Sequence, residues 1–569
     1  MKLPELFIAQ LRDLLPDEWE ALASAITSSE PSVAVRVNDA RGASVPDGAR
    51  RVPWCDQGFY LDGRPTFTYD TDWHAGHYYV QDASSMFIAH VIKHCVHEPV
   101  RYLDLCAAPG GKTTAAMQAL PPRSLTVANE IVPPRARVLA DNVTRWGNPR
   151  CVVTSNAPAQ VGKLTHFFDV IAADVPCSGE GMMRKDDEAV AQWSPALVEQ
   201  CAQRQREILA DVWPALRPGG VLIYSTCTYN RQENEQMVDF IINQLGATSL
   251  EVPVEPAWNI HGAIGSDSHC YRFMPHRVDG EGLFMAVLRK DGDAPHQDFR
   301  IKEKPSKKAD DMGKQWLLQP DEFAVEQMGD LCIAVPHDIG RELAALRTSL
   351  NVLHAGVELA TAMGRKSVPH HALAMSLAKA AGAFPVCGVD YATAMRYLRG
   401  ESITVDAPRG YVLIAHEGAV LGFANNLGNR ANNLYPKPQR ILSTHLPDTK
   451  PHILEEAPTP VIDECSYHYR IGYLQVEIAL QCFDILLKSL AALLGDLAGG
   501  ARLLADKPLG DGDVTCTGEF VELHAQVACG GFGLLLEIDK VGLLHIHQDG
   551  HHCQPQLGVK DGVKLFHRC

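Results

Sequence analysis

Between residues 100 and 289 the chain alternates short apolar runs with longer helical ones, and no other feature constrains its fold so strongly. "RYLDLCA", "SLTVANE", "CVVTSN", "FDVIAAD" and "VLIYSTC" have strand length and are rich in leucine, β-branched and aromatic residues. Stretches such as "PALVEQCAQRQREILADVWPAL" lie between them and have the length and pattern of amphipathic helices. This order predicts βαβ units on a mainly parallel sheet, an α/β architecture. Open sheets of this kind carry their chemistry just past the C-terminal ends of the strands.

Three such strand ends carry chemically distinctive residues. The first is "YLDLCAAPGGKTT", in which Cys106, Ala107, Ala108, Pro109, Gly110, Gly111 and Lys112 join a strand to a helix. Small residues and paired glycines let main-chain N–H groups approach a ligand, and the helix N-terminus adds a positive field. Glu130 closes the next strand, where an acid can accept both ribose hydroxyls of a nucleoside cofactor. The loop is not GxGxxG, so a dinucleotide is disfavoured, and the spacing alone also suits a plain glycine turn. The second is "FDVIAADVPCSGEGMMRKD", with Asp174 at the strand end and Cys177 three residues on. The third is "GGVLIYSTCTYNRQENE", with Cys227 between two threonines. Neighbouring parallel strands lie about 4.8 Å apart, so side chains past two adjacent strand ends can face one pocket. A single buried cysteine is ordinarily structural. Two at strand ends, beside an aspartate and a nucleoside-type loop, point to chemistry.

Bulk properties set the context. A chain of 569 residues with 46% hydrophobic and 21% charged residues is long enough for three or four globular domains. The N-terminal "MKLPELFIAQLRDLLPDEWEAL" reads as an amphipathic helix, not a signal peptide, and no run approaches the roughly 18 apolar residues of a membrane span. The 16 cysteines form no CxxC pair, which argues against a zinc ribbon or a disulfide framework and for a reducing cytoplasm. The net charge of −16 gives no support for nucleic-acid binding. Half of it, however, sits in residues 447–569, which carry 9 Lys+Arg against 17 Asp+Glu.

The three motifs closely resemble those of RNA (cytosine-5) methyltransferases of the RsmB/RsmF/NOP-type family, and "RFMPHRVDGEGLF" and "NLGNRANNLYP" resemble its RsmF branch. The resemblance spans roughly residues 1–446. It implies a Rossmann-like methyltransferase domain using S-adenosylmethionine, between an N-terminal RNA-contacting region and a C-terminal PUA-like RNA-binding domain. The expected boundaries are 1–90, 91–290, a linker at 291–315, 316–446, and an unassigned acidic tail at 447–569. Cys227 matches the family's nucleophile, which adds to C6 of cytosine. Asp174 would hydrogen-bond the base, and Cys177 would assist removal of the C5 proton or release of the enzyme. Residues 106–112, Glu130 and Asp174 match the cofactor-binding set. One departure stands out: Ala157 occupies the position of the usual aspartate that contacts the adenine amine, with Asn156 as its neighbouring polar substitute.

The resemblance also implies a cytosine of 16S ribosomal RNA in the small subunit as substrate. Transfer RNA is the alternative, and an idle RNA-binding assembly factor is the alternative in kind. The enzyme is expected to be a monomer with no DNA or membrane partner. Arg36, Asn38, Trp73, His77, Tyr78, Arg184 and Lys185 are candidate RNA contacts, each equally compatible with a core or solvated role. In the tail, "LHIHQDGHHC" invites a metal reading, but without paired-ligand spacing no metal is assigned.

Overall fold

The computed structural model describes residues 2–294, 313–363, 366–443 and 445–454, and three short strands beyond them. The chain divides into two compact units, Met1–Val461 and Ile462–Cys569. The linker expected at 291–315 falls mostly outside the described residues.

At the centre of the first unit the expected alternation becomes a sheet in the spatial order Ala247–Ser249, Leu283–Lys290, Leu216–Thr226, Phe168–Asp174, Arg101–Asp104, Leu125–Asn129, Cys151–Thr154 and Val352–Ala355. The five strands from Leu216–Thr226 to Cys151–Thr154 run parallel, and Leu283–Lys290 is antiparallel beside Leu216–Thr226. Burial on both faces explains why these strands read as continuous apolar runs: Phe168 to Ala173 are all buried. The order reverses between Arg101–Asp104 and Phe168–Asp174, and ligands bind at such a switch point.

In the N-terminal region, helices Glu5–Leu14 and Trp19–Ser28 turn Phe7, Leu11, Leu14, Leu22 and Ile26 into a shared core with Met183, Trp193, Tyr229 and Met274. They therefore close over the loops that follow the two cysteine motifs. A four-stranded antiparallel sheet comes next, with Val33–Val37 between Cys55–Leu61 and Tyr78–Val80. Arg36 and Asn38, both candidate RNA contacts, are not surface groups: they are 0% and 1% exposed. Arg36 donates to Gln81 Oε1 (2.9 Å) and Thr114 Oγ1 (2.6 Å) and lies over the Trp146 ring. Asn38 Nδ2 donates to the carbonyls of Gly76 and Trp146. Both clamp the N-terminal sheet onto the methyltransferase-like domain.

Beyond residue 313 the chain does not simply start a separate body. Val352–Ala355 adds an antiparallel strand to the edge of the central sheet against Cys151–Thr154. Ile333, Val335, Leu343 and Leu346 join the same apolar core as Leu103 and Val152. A second small sheet, Val386–Gly388, Gly410–His416, Ala419–Asn426 and Ala431–Asn433, packs on helix Tyr391–Leu398 around its own core. In the second unit, Ala525–Cys529, Phe532–Ile538 and Leu544–Gln548 form an antiparallel sheet. His551, His552 and Cys553 of the metal reading lie outside the described residues, as does the apolar run around 474–497. Among the described residues no group of three or more potential ligands is placed to hold a metal ion, and no helix is long and apolar enough to cross a membrane.

Removing the Arg36 side chain would leave several buried partners unpaired and a gap beside Trp146. Arg36→Ala should therefore lower the free energy of unfolding by about 3 kcal/mol, read from urea melts. A loss of less than about 0.5 kcal/mol, the range of an ordinary surface substitution, would show that this clamp is not structural.

Candidate active site

The parallel register of two neighbouring strands builds the site. Asp174 pairs with Ser225, so Cys177, three residues past one partner, and Cys227, two past the other, leave the sheet side by side. Their sulfurs are 3.1 Å apart, and both cysteines are free thiols. The hydrogen bond to Cys227, together with burial, pushes the Cys177 thiol well above the ordinary range.

Asp174 is held from both sides. Ser225 Oγ donates to its Oδ1 (2.8 Å) and Lys112 Nζ to its Oδ2 (2.9 Å). Burial alone would lower the Lys112 ammonium, but attraction to Asp174 and the hydrogen bond with it, added to smaller contributions from Cys227 and Asp104, raise it above its usual range. Lys112 belongs to the glycine loop, and this contact joins the first motif to the second. Gly110 takes φ 112°, a conformation that favours glycine, and caps the helix Gly111–Ala119. Asn142 Nδ2 and Arg135 Nη2 brace the loop through the carbonyls of Pro109 and Ala108. Beneath it, Thr113 donates to Asp104, whose carboxyl burial pushes up to about 7. Burial also raises the Cys106 thiol, which suits a packing role.

Glu130 closes its strand as expected and is only 3% exposed. Its Oε1 accepts from Val132 N (2.9 Å), and its Oε2 lies 3.5 Å from Arg135. Asn156 differs from the expectation. Its Oδ1 accepts from Asn351 N (3.0 Å) and its Nδ2 donates to Asn351 O (3.4 Å), so the amide is committed to the incoming edge strand. Ala157 has only a methyl to offer and begins the short helix Pro158–Val161.

Sequence reasoning passed over the polar frame that holds the cysteines. The residues after Cys227 look like a hydrophilic loop, yet Thr228, Asn230, Glu233, Asn234 and Glu235 are all at most 3% exposed. Glu233 accepts from Ser178 N (3.0 Å), Gln205 Nε2 (2.8 Å) and Asn230 Nδ2 (2.8 Å), tying the loop of Cys177 to that of Cys227. Glu180 accepts from the main-chain N–H groups of Tyr229 and Asn230 and from the Trp193 indole. Glu235 pairs with the equally buried Arg272. The density of Asn and Glu directly after an apolar strand was the available signal, since buried polar groups need partners.

The remaining candidate RNA contacts all have partners within the chain. Tyr78 donates to Asp70, His77 pairs with Asp72, and Arg145 covers the Trp73 ring. Arg184 donates to the main chain of Ser29, Glu30 and Gly280, and Lys185 pairs with Glu281. Because Glu233 joins the two cysteine loops, Glu233→Ala should slow the chemical step at least about tenfold and cost about 3 kcal/mol of stability, while the affinity for a cofactor held at 106–112 stays unchanged. Unaltered turnover in a folded variant would remove Glu233 from the frame.

Comparison with known proteins fits this geometry. The profile described as 16S rRNA methyltransferase RsmB/F matches residues 94–289, the N-terminal domain of 16S rRNA methyltransferase RsmF matches 3–83, and the methyltransferase RsmF PUA domain matches 384–441. Ribosomal RNA small subunit methyltransferase F of Erwinia tasmaniensis is 30% identical over 468 residues, covering 76% of this chain and 96% of the relative. The protein of the same name from Shewanella loihica is 31% identical over 410 residues, covering 68% and 82%. Among solved structures, NSun6 from Pyrococcus horikoshii with SFG is 20% identical at a TM-score of 0.44, covering 51% of this chain and 99% of that one. The chain is an S-adenosylmethionine-dependent RNA methyltransferase and belongs to the 16S rRNA methyltransferase RsmB/F family, in its ribosomal RNA small subunit methyltransferase F branch.

Proposed function

We propose that this enzyme forms 5-methylcytosine in 16S ribosomal RNA, as a cytoplasmic monomer, through a covalent bond between Cys227 and C6 of the base. The observation that carries the reading is the thiol pair at 3.1 Å beside the charged Asp174–Lys112 pair, all at one end of the parallel sheet. S-adenosylmethionine supplies the methyl group. The residues present suit it: small residues and glycines from Cys106 to Gly111 admit a ligand to the main chain, and Glu130 offers a carboxylate for ribose hydroxyls. The adenine amine has no side-chain acid from Ala157, and Asn156 is engaged elsewhere.

C5 of cytosine is a weak carbon nucleophile. Addition of the Cys227 thiolate at C6 pushes the C5–C6 electron pair toward C5 and makes C5 a nucleophile; S-adenosylmethionine, held by residues 106–112 and Glu130, would supply the methyl group and leave as S-adenosylhomocysteine, so one difficult step becomes two easier ones. Asp174 accepts from the base edge, and Lys112 offsets the charge that develops there. Cys177 keeps its proton and hydrogen-bonds the Cys227 sulfur before attack. Once that sulfur is bonded to carbon, the hydrogen bond that raised the Cys177 thiol lapses and Cys177 ionises more readily. It can then remove the C5 proton, so that the C6–S bond breaks and Cys227 is released.

The two cysteine variants should therefore fail differently. After incubation with RNA and cofactor, Cys177→Ala should give a protein–RNA band on a denaturing gel and Cys227→Ala none; the reverse pattern would exchange their roles. Bisulfite sequencing of RNA from cells with and without the gene should place the lost 5-methylcytosine in 16S ribosomal RNA, and a loss in transfer RNA would overturn that assignment. Glu130→Ala should weaken S-adenosylmethionine binding by about 2 kcal/mol in a calorimetric titration, the value of a hydrogen bond to a charged group. Unchanged affinity would take the ribose away from Glu130.

A further inference from the structure

The segment that packs behind the Cys227 loop also forms the rim of a second cleft. Gly282 lies against that loop: a Cβ placed on Gly181 would be 2.9 Å from both the Gly282 and the Cys227 carbonyl oxygens. Three residues earlier, Asp279 edges a cleft of about 420 Å³ between the N-terminal sheet and residues 257–279, lined among others by Arg50, Tyr60, Trp258, His276 and Arg277. Three residues of chain span at most about 11 Å, so the Asp279 rim of the cleft lies within that distance of Gly282.

Arg50 is unusual for a surface arginine because it is fixed. Its guanidinium lies 4.0 Å from the centre of the Tyr60 ring, and Asp279 binds it from the side. Tyr60 OH donates to Asp279 O (2.7 Å), which locks all three groups together. The Arg50 side chain is nevertheless 57% exposed. A planar cation seated over an aromatic ring and more than half exposed is a ready stacking surface for a nucleobase. Across the cleft, His276 has a buried Nδ1 with no hydrogen-bond partner, while its Nε2 is held by Glu18. Arg277 is held by the same carboxylate and remains partly exposed. Arg50, Arg51 and Arg277 line this cleft against one acid, Asp279, a local excess of positive charge in a chain of net charge −16 that favours an anionic polymer.

We infer that this cleft holds a nucleotide flanking the target cytosine, with its base stacked on the Arg50 guanidinium. The inference rests on the reading of the enzyme as an RNA methyltransferase, and it assigns Arg50 to RNA affinity and sequence-context preference, outside the chemical step. The test uses the full-length enzyme and an RNA fragment centred on the cytosine that bisulfite mapping identifies, made as a series with one abasic nucleotide at each flanking position. For the wild type, one position should raise KM about tenfold while kcat is kept, in line with the loss of a stacked base. Arg50→Ala should raise KM by a similar factor on the intact RNA and should abolish the penalty at that one position. Arg50→Lys, which keeps the charge but not the plane, should behave like Arg50→Ala, both on the fragment and on small ribosomal subunits. An abasic penalty that persists undiminished in Arg50→Ala, or an unchanged KM, would overturn the inference while leaving methyl transfer itself intact. Absence of methyl transfer by the wild type to any RNA would instead overturn the reading of the enzyme.

Discussion

Everything at the catalytic end of this molecule depends on two buried carboxylates that hold two loops. Parallel pairing of Asp174 with Ser225 sets where the loops begin, but strand register alone does not fix side chains two or three residues beyond the last ladder bond. Glu233 binds the loop after Cys177 to the loop after Cys227, and Glu180 gathers the main-chain N–H groups of Tyr229 and Asn230. Each carboxylate is fully buried and surrounded by donors, so any displacement of a loop leaves a charge or an N–H unpaired in a low-dielectric interior. The cost of that displacement holds the thiols at 3.1 Å.

The rest of the fold supports this frame. The N-terminal helices cover it, with Gln10 reaching Glu180 directly. Arg36 anchors the N-terminal sheet to the helix that begins at Gly111, so the cofactor loop is supported from outside the central domain. On the far edge Asn156 is tied to Asn351, the residue that leads into the edge strand Val352–Ala355.

The chemistry follows from charge placement. Lys112 and Asp174 come from different motifs and neutralise one another in a partly buried pair, poised to respond to a base placed between them and the thiols. The two cysteines share one environment, and the hydrogen bond between them, with burial, raises the Cys177 thiol. In the proposed reaction, relief of that cost when Cys227 becomes bonded to carbon is the physical reason for the order in which the two would act.

The alternation of strands and helices, the three strand-end motifs and the acid at Glu130 were legible in the sequence because local patterns specify them: strand runs buried on both faces, a glycine turn, an acid at a strand end. That Cys177 and Cys227 could face one pocket was legible too, from strand ends about 4.8 Å apart; the sheet order and the 3.1 Å between the sulfurs were not, because strand neighbours separated by about fifty residues are chosen by packing and register. For Arg36, Asn38 and Tyr78 the sequence leaves RNA contact, a solvated role and a core role open; they are core clamps, because their partners Thr114, Trp146 and Asp70 come from other elements. "TYNRQENE" read as a soluble loop for the same reason: a single sequence shows how polar a residue is, whereas only the tertiary structure decides whether its partner is water or another part of the chain.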